Sequence, residues 1–352
     1  MFQPPRITDA HPTIGGRLKA EPGDFRVEEI PLYGPSGEGQ HVYVRLARES
    51  MTTRDVETRL ASMFEVNTRS IGYAGKKDKR AVTTQTFSLD LPNADLDDIR
   101  DRLEDDEAFD IVWVERHRNK IKQGHLIGNK FTAVVSELDV VPEVAVERAT
   151  TIADRLREHG LPNYYGEQRF GKDGDNAERG LDLIKGRERE GRRWLRRLLK
   201  NAYQSELFNR WLAARVEAGD FDVLLPGDVA KKTDTGGLFD VEDIEAERPR
   251  FERREITYTG PMYGHELWWA SDSAGELERR VFDEAAVSLE ELEDADLRGS
   301  RRRAAIFPDD IEISEHPRGL ELVFSLPKGA YATVLLREFV GDLDQPDTSS
   351  SG

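Results

Sequence analysis

The feature that most constrains this chain is a switch in the spacing of its apolar residues. Through the first 135 residues they alternate with polar ones, as in HVYVRLAR (41–48), TTQTFSL (83–89) and KFTAVV (130–135), which read as strands. After Gly160 the spacing turns helical, over 177–184, 189–199 and 204–218. A strand-and-turn region rich in Gly and Pro follows to Gly264, and alternation returns at 311–313 and 320–326. This order of periods predicts an α+β chain with a helix-rich middle portion. At roughly 150 residues per domain, 352 residues make two domains or one large interrupted one. Local signals agree: Thr52 or Thr53 caps a helix to Met63, with Val56, Leu60 and Phe64 on one face. Residues 143–159 form an amphipathic helix stopped by Gly160 and Pro162, and 331–340 form the last helix. The tail, 342–352, reads as disordered.

Composition decides which classes remain. Hydrophobic residues are only 38% and charged residues 34%, yet 29 aromatics and the periodic apolar positions supply a core. With no cysteine there is no disulfide scaffold, no Cys-ligated zinc and no thiol nucleophile. No run approaches the roughly 18 apolar residues of a membrane span, and the N-terminal stretch has no apolar signal core. A cytoplasmic protein with no membrane partner is expected, and a monomer. The formal net charge is −17, and only 13 of the 51 basic residues are Lys against 38 Arg. Acid excess with Arg well above Lys resembles proteins of salt-loving archaea. There the Debye length falls to about 3 Å, so like charges on a surface cost little. Net charge therefore does not exclude a polyanionic partner.

Four basic islands interrupt the acidic background: 76–80 (KKDKR), 116–130 (RHRNKIKQGHLIGNK), 187–200 with seven basic residues against two Glu, and 298–303 with four Arg. They mark chosen contacts with a polyanion, or they pair with neighbouring acids on helix surfaces. No phosphate-binding GxxxxGK[ST], no GxGxxG and no HExxH occurs, and the seven His have no ligand spacing, so no metal site is expected. Asp78 is the unusual residue, a carboxylate among four cations on a loop bounded by Gly72, Ala74 and Gly75. The cations favour its ionised form. Such a group suits a nucleophile or base beside a phosphate backbone, and equally a solvated ion-pair loop.

Five strings in order add a resemblance: GYAGKKDKRAVTTQTFSL (72–89), LIGNKFT (126–132), LPNYYGEQRFG (161–171), SELFN (205–209) and LPKGAYATVLLRE (326–338). With DFRVEE (24–29) and RHRNKIKQGHLIGN (116–129), they span nearly the whole chain and resemble the TruD family of pseudouridine synthases. The resemblance implies a catalytic fold of mixed and antiparallel sheet with helices. A helix-rich TRUD insertion over 160–306 interrupts that fold between parts at 1–159 and 307–341. It implies isomerisation of a uridine in tRNA, at position 13 in the D arm, with no metal or organic cofactor. The bond from C1′ to N1 breaks, the base turns within the pocket, and C5 bonds to C1′. By motif position Asp78 is the nucleophile. It could act by adding to C1′, by adding to C6 or by removing the 2′ proton, and the sequence leaves all three open. Phe25, Asn129, Phe131 and Tyr331 match substrate-contacting positions, Tyr331 standing where the family often has Phe. Stacking faces suit a base held outside its helix, and core packing is the competing reading for each ring. Lys19 matches a basic family position. Lys19, Lys76, Lys77, Lys79 and Arg80 are candidate RNA contacts, as are the arginines of 187–200 and 298–303.

Three competitors remain: the same chemistry on another tRNA or RNA site, a non-catalytic tRNA-binding or tRNA-folding protein, and a carboxylate N-glycosidase that would release free uracil.

Overall fold

The computed structural model describes residues 2–77 and 81–342. Asp78, Lys79, Arg80 and the tail from 343 lie outside the described residues, and so do the expectations attached to them. The chain divides into two compact units. One holds Thr13–Thr151, Pro308–Gly329 and the residues from Phe339; the other holds the first twelve residues, Ile152–Phe307 and Ala330–Glu338. We call them the sheet unit and the helical unit. Among the described residues no helix is long and apolar enough to cross a membrane.

Among the described residues the sheet unit is built on nine strands. The main path runs Glu312–His316, Gly319–Pro327, Leu126–Ser136, Phe25–Pro31, Val82–Asp90, His41–Glu49, Asp110–His117, with Arg17–Leu18 and Gly72–Tyr73 as short additions. Neighbours are antiparallel except Phe25–Pro31 with Val82–Asp90, which is parallel. A parallel pair needs a long crossover, and here it carries the strand His41–Glu49 and the helix Thr53–Met63. That helix starts where the sequence predicts: the Thr52 side chain accepts from the Asp55 amide in a capping box. It buries Val56, Leu60 and Ala61 against Val42, Val44, Leu46, Phe87 and Leu89 of the sheet. Each fully buried side chain of this kind contributes about 1.5–3 kcal/mol. The acidic stretch 90–110 folds into loop and the helix Leu96–Glu104, which sinks Ile99 and Leu103 and leaves its acids in water. Gly128 has to be glycine, because a Cβ there would stand 2.1 Å from the Leu326 carbonyl on the neighbouring strand.

In the helical unit, Asn176–Ile184, Arg193–Glu217 and Asp272–Asp283 are helices, and Leu238–Asp240, Val229–Lys232, Ile256–Met262 and Ser300–Arg303 form a four-stranded sheet. Phe208, Trp211, Leu212, Tyr258 and Tyr263 form its core. The two helices expected over 189–199 and 204–218 are one helix of 25 residues. Nothing between them breaks a helix. Leu199, Ala202, Tyr203 and Leu207 are buried at helical spacing, and the Ser205 hydroxyl returns to the Asn201 carbonyl at 2.7 Å. The helices at 272–283 and 289–294 carry no sequence expectation. The acid run at 283–296 conceals Leu292, wholly buried, behind a capping box of Ser288 and Glu291.

Candidate active site

Strand alternation assembles the first cluster in the sheet unit. Glu29 lies directly opposite Asn129, Val27 opposite Phe131, and Phe131 opposite Phe324, so side chains two apart on three strands share one face. Lys77, the last described residue before Asp78, reaches this face. Its Nζ lies 3.2 Å from Glu29 Oε2 and 2.6 Å from Asn129 Oδ1, and the Lys77 and Glu29 side chains are 5% and 1% exposed. The 75–77 backbone is fixed by the same network. Gln85 Nε2 donates to the Gly75 carbonyl (2.6 Å) and to Glu29 (3.2 Å), and the Lys77 amide donates to Thr53 Oγ1 (2.9 Å). Gln85 Oε1 in turn accepts from Arg48 (3.0 Å) and from the Thr53 hydroxyl (3.2 Å). The first residue of a capped helix, a strand glutamine and a strand carboxylate thus hold the loop as far as Lys77.

The electrostatics are those of buried charge. Burial lowers the pKa of Lys77, with Glu29 opposing and Arg48 and Arg45 adding to the fall. Burial brings Arg48 down to about 10, again against Glu29. Arg45 is paired with Glu28 at 2.7 Å. Among the described residues the centre therefore sets three buried cations, Lys77, Arg48 and Arg45, against one buried carboxylate, Glu29, with the exposed Glu28 reaching Arg45 from solvent. A buried charge left uncompensated costs several kcal/mol, so this centre favours a further anion beside it.

An aromatic row continues the face. Phe25 and Phe131 lie 5.9 Å apart, Phe131 stacks on Phe324 at 5.4 Å, and the Lys19 ammonium sits 4.2 Å from the Phe25 ring centre. Phe25 and Phe131 are only 6% and 8% exposed. Lys19 adopts a left-handed backbone, φ 57°, which is uncommon outside glycine, Asn and Asp. Asn129, Phe131, Phe25 and Lys19 thus gather in one unit. Lys76 is exposed. Lys77, expected as an RNA contact, is instead committed to a buried ion pair, because the loop at 75–77 is fixed so that its ammonium meets Glu29 and Asn129.

Tyr331 belongs to the helical unit, where the strings at 161–171 and 205–209 meet. Asn209 grips the Tyr165 backbone through both amide atoms at 2.8 and 2.9 Å, and Arg169 donates to Ser205 Oγ at 2.9 Å. Tyr331 packs edge-on to Tyr165 at 5.9 Å, over Gly166, where a Cβ would stand 3.0 Å from the Tyr331 ring. Burial raises the Tyr331 pKa, with Arg169 and Arg302 opposing. Arg302 lies 4.0 Å over the Tyr165 ring and donates to the Asn163 carbonyl and side-chain oxygens at 3.1 and 2.7 Å. Arg301 is 2% exposed and paired with Glu278 at 2.6 Å. Two of the four arginines of 298–303, expected as phosphate contacts, are therefore structural, because each face of the strand offers a partner: Glu278 for Arg301 and Asn163 for Arg302.

The sequence reading overlooked Glu29, Arg48, Thr53, Gln85 and Phe324. A polar residue at an inward alternating position, as Gln85 is in TTQTFSL, is a signal that could have found one of them. Phe324 becomes a neighbour of Phe131 only through strand register.

Known proteins resemble this chain in sequence and in fold. The family model for tRNA pseudouridine synthase D (TruD) matches residues 6–191 and 190–339. A tRNA pseudouridine synthase D of Anaeromyxobacter dehalogenans is 42% identical over 355 residues, covering 97% of this chain and 98% of that protein. One from Thermus thermophilus is 41% identical over 341 residues, covering 96% and 93%. The crystal structure of the TruD protein of Methanosarcina mazei superposes with a TM-score of 0.80 at 24% identity over 96% of each chain, a likeness of fold. The class these observations define is that of the pseudouridine synthases. Within it, the chain belongs to the TruD family.

Proposed function

We propose that this chain isomerises uridine 13 in the D arm of tRNA, with Asp78 as the catalytic carboxylate. The chain is a tRNA pseudouridine synthase by family; the target position and the residue roles are our reading. One observation carries it: the residue just before Asp78 is anchored in a centre of three buried cations against one buried carboxylate, Glu29. An excess of cations favours the ionised, nucleophilic form of a carboxylate that follows it in the chain. Phe25 and Phe131, backed by the fully buried Phe324, offer the flipped base an apolar wall, and Asn129 links that wall to Lys77. The reaction is balanced within the substrate. The C1′–N1 bond breaks, a C1′–C5 bond forms, and the hydrogen on C5 is replaced by one on N1.

Asp78→Asn in the purified protein should bind tRNA and form no pseudouridine; product from that variant rejects the assignment. Primer extension on carbodiimide-treated tRNA should stop at position 13 only after incubation with the wild type. A stop at a different uridine rejects the target, and release of free uracil rejects isomerisation itself.

A further inference from the structure

Most cations of 187–200 are spoken for. Arg187 faces Asp182, Arg192 clamps Glu190, Arg196 reaches the Glu190 carbonyl, and Lys200 donates to the Ala295 carbonyl. Arg193 and Arg197 are both exposed and have no side-chain partner among the described residues. Between and beside them Trp194 is 64% exposed, with the Arg192 guanidinium 6.0 Å from its ring. Helix geometry makes these residues one patch: 193 and 197 are four apart, 194 and 197 three apart, so Arg197 lies angularly between Arg193 and Trp194.

Stability does not explain the patch. The helix Arg193–Glu217 has no acid in its first turn, and cations there oppose the helix dipole. An indole left in water forfeits its burial. We infer that Arg193, Trp194 and Arg197 form an RNA-docking surface, with the guanidiniums on backbone phosphates and the indole stacked on an unpaired base. Planar cations beside a flat, exposed π face match a single-stranded or looped polynucleotide, which repeats phosphate and base at short intervals. An acidic peptide offers the charge without the stacking faces. The inference rests on tRNA being the substrate.

The test uses the full chain and unmodified tRNA transcript. Trp194→Ala should raise the tRNA Kd about tenfold and Trp194→Phe by less, since a phenyl ring keeps part of the stack. Arg193→Ala/Arg197→Ala should lower the slope of log Kd against log[KCl] by about 2, roughly one for each phosphate left without its guanidinium. All three residues are exposed, so thermal midpoints should match the wild type. Unchanged Kd and unchanged salt slope in both variants overturn the inference. So does a pattern in which the variants lose binding to phosphatidylglycerol vesicles and keep their affinity for tRNA. A wild type that makes no pseudouridine while the variants still weaken tRNA binding counts against the proposed activity and leaves the docking surface standing.

Discussion

Two arginine-rich stretches of the helical unit, 187–200 and 298–303, look alike in sequence and have opposite fates. In the second, a strand places Arg301 against Glu278 and Arg302 against Asn163 and the Tyr165 ring, all inside the fold. In the first, a helix turns Arg193, Trp194 and Arg197 outward. The difference teaches that a basic run reports nothing about location until the period of its element is known. Buried cations become part of the scaffold, at a desolvation cost offset by a dedicated carboxylate or carbonyl. Exposed ones remain free for a polyanion.

The sharpest way to break this contrast is mutational. Arg301→Ala strands Glu278, whose carboxyl burial already pushes up and Arg301 pulls back down, and should cost about 3–5 kcal/mol in denaturant unfolding. Arg197→Ala should cost under about 0.5 kcal/mol. Equal costs for the two would erase the distinction.

Lys77 allows a test by pH. Burial holds its folded-state pKa below a free lysine's 10.5, so rising pH removes the ammonium from the Glu29 pair before an ordinary lysine titrates. Activity should therefore fall early on the alkaline side, by up to about tenfold per pH unit. The sign for stability is opposite. In the window between the lowered pKa and 10.5 the unfolded chain holds more protons, so this group's contribution to stability rises with pH. Rate and unfolding midpoint measured together across that window should diverge; a parallel fall would reject the role given to Lys77.

Smaller effects follow at surfaces. Thr52→Ala removes the cap of the helix that carries Thr53 and should cost about 1 kcal/mol by thermal denaturation. Smallest is the Arg192–Glu190 pair, whose guanidinium is 64% exposed and whose loss by Glu190→Gln should be barely measurable at low salt and absent in molar KCl. If the acidic surface is tuned to a salty cytoplasm, the folded protein should keep its unfolding midpoint in molar KCl, and a drop there would reject that reading.

Much of the fold was legible. Alternation located the strands at 41–49, 82–90 and 126–136, and Thr52 with Asp55 marked a helix start, because period and capping are local properties. Helix boundaries inside 189–218 and the helices at 272–294 were less so, since tertiary burial of Leu199 and Leu292 decided them. Of the site, the ordered strings pointed to Phe25, Asn129 and Phe131. They gave no sign that Lys77 is buried, or that Glu29, Gln85 and Arg48 surround it.

The sequence by itself determined the class of fold, the family and which residues carry reactive groups, since those follow from residue type, spacing and ordered motifs. Only the tertiary structure decided which cations face inward. Register set Glu29 opposite Asn129 and Phe324 opposite Phe131, and a one-residue slip would turn every one of these side chains to the other face. The charge imbalance around Lys77 is likewise a property of packing: it arises from bringing residues 29, 45, 48 and 77 out of water together, and no single segment contains it.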